Sequence, residues 1–191
     1  MRYIVFFLCM LMSCGGAAQR NLLKVKPVFY SANQVGLLEG DAGSAFMVQT
    51  VNGVAYKSWA AGVGIGLDKY RDRSIPLFLQ VKKSVFEKKL PLFLYADIGI
   101  NMLWRTKDER GWQSWQNRND NVGLYFDGGA QYQWAITQRQ AILFSVGYSE
   151  KQYSSETYVP APCINGPCPE QHNTWHFTYR RIAIKAGWKF R

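Results

Sequence analysis

The stretch Trp175–Arg191, reading WHFTYRRIAIKAGWKFR, decides the fold. From Arg180 onward it alternates without a break. Ile182, Ile184, Ala186, Trp188 and Phe190 fall on one side, and Arg181, Ala183, Lys185, Gly187, Lys189 and Arg191 on the other. A strand repeats every two residues, so this ribbon has one apolar face and one cationic face. A row of Arg and Lys is costly inside a soluble sandwich. It is at home in the polar interior of a barrel whose outside meets lipid. The stretch is therefore expected to be the last strand of a small closed barrel.

The same period recurs upstream. Strand candidates run from about Gln34 to Glu39, Ser44–Val51, Tyr56–Asp68, Ile75–Phe86, Pro91–Trp104, Val122–Ile136 and Ala141–Glu150. With the closing strand they make an even set of eight. In Tyr56–Asp68, Trp59, Ala61, Val63, Ile65 and Leu67 oppose Gly62, Gly64 and Gly66. In Val122–Ile136, Leu124, Phe126, Tyr132 and Trp134 oppose Tyr125, Asp127, Gln131 and Gln133. Residues 20–33 read as a lead-in, since Pro27 cannot donate to a ladder. Gly40-Asp41-Ala42-Gly43 and Asn52-Gly53 read as turns, the latter from its strong tight-turn preference. Lys83 falls on the apolar face and is expected near a membrane interface, where its stem can snorkel.

Two long polar connections, 105–121 and 151–174, follow the fifth and seventh candidates, while those after the second, fourth and sixth are tight. Outer-membrane barrels alternate short periplasmic turns with longer external loops in this way. Trp59, Trp134, Trp188 and Phe190 then fall at the periplasmic ends of strands and Trp104 and Trp175 towards the external ends, which predicts two interfacial belts. The bland alternative, a soluble eight-stranded carrier, has the same period. It rarely carries so many glycines inside its strands, because each weakens the strand.

The totals agree with one domain of 191 residues. A mean hydropathy of −0.21 leaves no apolar run near the ~20 residues of a membrane helix outside the first residues, so any crossing is made by strands. Residues 1–18 read as a secretory signal, with Arg2, the apolar run Tyr3–Met12 and small residues before Gln19; residues 19–191 are the mature barrel domain. A lipidated Cys14 is the rival reading of that segment. The net charge of +10 is spread through loops and alternate strand positions, which with export argues against nucleic acid and for anionic lipid.

The chain resembles the small outer-membrane β-barrel proteins of the eight-stranded OmpA/OmpX-like kind. The likeness rests on strand rhythm, loop order and stretches such as TVNGVAYKSWAAGVGIGLDKY at Thr50–Tyr70 and RSIPLFLQVKK at Arg73–Lys83. It spans roughly the whole mature chain. It implies an all-β, eight-stranded antiparallel up-and-down transmembrane barrel, a monomer in the outer membrane, with Phe190 near the terminus as a signal for the barrel-assembly machinery. The family shares no catalytic motif, so the resemblance implies no active site and no cofactor.

Candidate functional residues follow from strand phase. Asp68, Lys82, Asp97, Asp127, Arg181 and Lys185 share the inner face, where opposite charges must pair because burying them singly is heavily penalised. Lys82 and Asp97, on neighbouring strands joined by a short turn, are the expected pair. Cys163 and Cys168 flank the turn Asn165-Gly166-Pro167 and are expected to form a disulfide. A zinc site with His172 and His176 is disfavoured by the short spacer. A lipid A-modifying enzyme would need an oriented base, and no carboxylate is placed to orient His176. Trp112 and Trp115 with Arg105, Lys107, Arg110 and Arg118 put aromatics beside cations in an external loop. The reading is a non-enzymatic barrel with structural or surface-interaction work. Binding or passage of a small apolar molecule is the alternative.

Overall fold

The computed structural model describes residues 26–86, 90–104, 117–160 and 170–191. The expected signal at 1–18 with Cys14, the Cys163–Cys168 disulfide and the cations and tryptophans of 105–116 lie outside the described residues. Nine strands are described: β1 (Val28–Gly40), β2 (Gly43–Tyr56), β3 (Trp59–Asp68), β4 (Ser74–Ser84), β5 (Leu92–Leu103), β6 (Asn117–Asn121), β7 (Gly123–Ala135), β8 (Gln140–Pro160) and β9 (Glu170–Phe190). Their pairings are antiparallel. β9 joins both β8 and β1, from Gln140↔Phe190 on one side and Ser31↔Phe190 on the other, so the sheet closes on itself.

β6 and β7 are two parts of one stave. Both pair with β8, but the register steps by one residue between Asn121↔Ser154 and Tyr125↔Lys151. Three residues, 122–124, therefore face two, which is a β-bulge. Gly123 sits in it with the Gln152 carbonyl oxygen 1.8 Å from where a Cβ would stand, so only glycine fits. With that stave counted once, the fold is an all-β, eight-stranded antiparallel closed barrel.

Several sequence expectations change at their edges. Asn52-Gly53 is not a turn. It lies inside β2, with Asn52 paired to both Ser31 and Val63. The reversal comes at Lys57-Ser58, where Lys57 takes φ 54°. The glycine serves close strand approach instead: a Cβ on Gly53 would stand 2.3 Å from the Ala61 carbonyl oxygen. β1 begins at Val28, so residues 28–33 of the expected lead-in are strand. The stretch 151–160 and 170–174 is strand as well, in the long hairpin β8–β9.

The side-chain distribution is the reverse of a water-soluble domain. The row Val63, Ile65, Leu79, Ile98, Leu124, Val146, Ile182 and Ile184 is exposed on the outer wall. The inner row is Gln34, Gln49, Asp68, Gln80, Lys82, Asp97, Asp127, Gln131, Ser145, Arg181 and Lys185, all buried to 2% exposure or less. Small inner residues make room for large ones. A Cβ on Gly64 would stand 2.3 Å from the Phe78 ring, and Phe78 uses that space to reach Tyr125, with ring centroids 5.4 Å apart.

Candidate functional site

The interior is built in layers, each from residues in the same strand phase. At the loop end, Asp68 closes β3 and accepts from Arg181 Nη1 of β9. Lys151 Nζ of β8 lies 3.5 Å from the other Asp68 oxygen. Arg181 Nη2 donates to Ser149 Oγ at 2.7 Å. Lys151 donates to the carbonyls of Tyr70 and Asp72 at 2.6 and 2.8 Å. The Tyr70 amide donates back to Asp68 Oδ1 at 2.7 Å, and its hydroxyl accepts from the Ala42 amide at 2.7 Å. Two cations thus share one carboxylate, and backbone oxygens take up the remaining ammonium protons, which is what burial of charge demands.

The middle layer centres on Asp127. Lys185 Nζ and the Tyr95 hydroxyl each donate to it at 2.9 Å, and the Tyr125 hydroxyl at 3.3 Å. Asp97 stands directly across the β5–β7 ladder from Asp127. Neither Asp97 oxygen has a hydrogen-bond partner. Lys82 and Asp97, the expected charge pair, are diagonal neighbours on the β4–β5 ladder and feel each other's charge, though no hydrogen bond joins them. Lys82 Nζ donates to Gln131 Oε1 of β7 at 2.8 Å, its long stem reaching past β5 to the next stave.

Below this, glutamines and a serine form a relay across the barrel. Gln49 donates to Gln34 at 2.6 Å, while Gln34 and Gln131 donate to Ser145 Oγ at 3.2 and 2.9 Å. At the turn end Lys189 Nζ donates to Gln133 Oε1 at 3.0 Å. Sequence reasoning left Lys151 and Lys189 out of the network. Lys189 shares the phase of Lys185, so the alternation itself carried that signal. Lys151 follows Ser145, Gly147 and Ser149 in phase, and was lost only because the strand was expected to stop at Glu150.

The predicted belt residues Trp59, Trp104, Trp134, Trp175, Trp188 and Phe190 are all exposed. Lys83, outward as expected, lies with its ammonium 4.9 Å from the Trp59 ring centre, and Arg73 lies 5.7 Å from that of Trp104. Trp175 stands apart. The ladder between β9 and β1 ends at Gly40↔Arg181, and the β8–β9 pairing runs on to Pro160↔Glu170. At ~3.3 Å per residue, Trp175 lies roughly 20 Å along the strand past that rim.

This projecting arm has its own footing. Tyr153 stacks on Phe177 at 4.9 Å, and Tyr179 meets Tyr70 edge-on at 5.9 Å. The Tyr153 hydroxyl donates to the Asp72 carboxylate. Burial, then that carboxylate, hold the Tyr153 phenol well above its ordinary range. The outer face turns polar at this level, where Arg180 and Glu150 approach to 3.6 Å. Above the rim the β9 edge facing away from β8 has no strand partner among the described residues.

No protein-family model matches the chain, and no curated protein sequence matches it. Among solved structures it is similar to Neisserial surface protein A, at 14% identity and TM-score 0.48 over 86% of this chain and 98% of that one. A de novo designed transmembrane β-barrel matches at 12% identity and TM-score 0.38, over 84% of this chain and 93% of that one. The translocator domain of the autotransporter NalP from Neisseria meningitidis matches at 9% identity and TM-score 0.23, over 99% and 96%. These are likenesses of strand pattern and carry no functional weight.

Proposed function

We propose that the chain is an integral outer-membrane barrel, delivered by a cleaved N-terminal signal, whose lumen is a sealed strut and whose work is structural or surface interaction through the loop end. The observation that carries this reading is the inverted distribution of side chains: branched aliphatic residues exposed around the wall, ionised ones buried within. In water that wall would be one continuous apolar patch, far beyond what soluble monomers expose. In a bilayer it is the expected lipid face. Its partners are then lipid and, during biogenesis, the barrel-assembly machinery. The arm supports surface interaction, since a strand edge with no strand partner among the described residues offers main-chain donors and acceptors to an added strand. Passage of a small molecule is opposed by the hydrogen-bonded layers that cross the lumen, and the reading assigns the barrel no catalysis.

Cell fractionation with heat-modifiable gel migration tests the placement: membrane recovery and a faster-running unheated band are expected, and a soluble periplasmic chain would overturn it. Planar-bilayer recording is expected to show no steady conductance. Val146→Arg separates the settings further. At mid-membrane it should cost ~2–4 kcal/mol, whereas on a solvated surface it should change stability by less than about 0.5 kcal/mol.

A further inference from the structure

Among the described residues, the buried charges of the lumen do not balance. Five are cations, Lys82, Lys151, Arg181, Lys185 and Lys189, and three are carboxylates, Asp68, Asp97 and Asp127. The excess is greatest at the turn end. Lys82 and Lys189 are 2% and 5% exposed, and each hydrogen-bonds a glutamine oxygen rather than a carboxylate. Their ammonium groups flank one ring, at 5.7 and 4.9 Å from the centre of Tyr30. They also line a cavity of about 440 Å³ that opens at this end. Lys57 and Arg191 stand in the same lining, and every charged side chain described there is cationic. Adjoining it, a smaller recess of about 150 Å³ adds Arg139 and again no acid among the described residues. The walls between the cations are apolar, chiefly Tyr30 and Phe93. The Tyr30 hydroxyl is buried without a hydrogen-bond partner.

Two desolvated ammonium groups, neither bonded to a carboxylate and only Lys82 within the field of one, Asp97, are costly, and a cavity beside them admits a counter-charge from outside. The volume falls within the ~300–1,000 Å³ of ordinary small-ligand sites, which pair mostly apolar walls with a few placed polar groups. We propose that this turn-end cavity binds a small organic anion, a carboxylate or phosphate ester on a short apolar body. Lys82 and Lys189 hold the anionic group, and Tyr30 and Phe93 wall the apolar part. The site depends only on the geometry of the turn end, so it stands or falls apart from the work assigned to the arm.

The full chain, purified in a neutral detergent, is titrated with octanoate, octyl phosphate, octanol and inorganic phosphate, following heat of binding and the thermal midpoint. Saturable binding and a raised midpoint are expected with the first two and not with the last two. Octanol matching octanoate would show that the charge plays no part and would overturn the proposal. Inorganic phosphate binding as tightly as octyl phosphate would overturn the apolar half of it. The variant Lys82→Met/Lys189→Met is expected to keep heat-modifiable migration and to bind octanoate about tenfold more weakly, or worse, per lysine removed. Unchanged affinity would refute the assignment. Should that variant not fold, Lys189→Gln alone carries the test, with the same criterion. Reconstitution then separates the sources. If octanoate binds in phosphatidylcholine vesicles but is displaced when phosphatidylglycerol is included, the anion is a lipid headgroup. If it binds equally in both, the anion is a free molecule.

Discussion

At the loop end of the lumen Asp68 accepts from Arg181 and lies 3.5 Å from Lys151, with Ser149 and two backbone carbonyls completing the shell. At the turn end Lys82 and Lys189 reach only the amide oxygens of Gln131 and Gln133. Both ends bury cations from the same alternating rows. One supplies a carboxylate, and the other supplies neutral dipoles and open space. The difference separates two uses of buried charge. A cluster gathered on a carboxylate stitches β3, β8 and β9 together at the rim, while one held by neutral amides leaves attraction to spare for something that arrives later.

Substitutions sharpen or break that contrast. The largest effect is expected for Asp68→Asn, which leaves Arg181 and Lys151 buried without their carboxylate. A loss of ~3–5 kcal/mol, read from urea unfolding in lipid vesicles, is the usual cost of removing one member of a buried ion pair. A loss below ~1 kcal/mol would mean that water reaches the loop end and that the two ends are alike. Gly64→Val, between the ends, drives a branched side chain against Phe78 and should cost ~1–3 kcal/mol, relieved in part by Phe78→Leu. Asp97→Asn should differ sharply from Asp68→Asn. Its oxygens accept no hydrogen bond and it faces Asp127 across the ladder, so a change within about 1 kcal/mol is expected. The smallest effect is expected for Lys189→Met without added anion. Removing a cation that has no carboxylate should be neutral or raise the unfolding midpoint slightly, since apolar replacement of buried charge often does. A loss on the scale of Asp68→Asn would abolish the contrast.

Strand phase made much of this legible from sequence. A period of two assigns each residue to a face whatever the register, so the closing strand and the six inner charges could be placed without knowing any partner. Partners need register and reach. Lys82 and Asp97 were expected to meet because their strands are neighbours. The lysine stem crosses to β7, a contact that depends on barrel curvature rather than sequence distance. Turn chemistry misled at Asn52-Gly53, where pairing on both sides of β2 overrode local preference. The true turn at Lys57-Ser58 puts a lysine at positive φ and carries no glycine signal. The arm was illegible for another reason. Above the rim no apolar phase face confronts lipid, so Gln152, Ser154, Glu156, Thr174 and Thr178 compose a strand that reads as a loop.

The pairing of Ser31 and its neighbours with Phe190 and its neighbours has a consequence for how the molecule is made. The first strand to be synthesised finds its second neighbour only when the last is available. Until then a growing ribbon keeps a bare margin on each side, the arrangement most prone to joining the wrong chain. Contacts so distant along the chain also form slowly, because the intervening loop must be closed before they gain anything. Losing β9 would therefore leave not a shorter cylinder but an unzipped one.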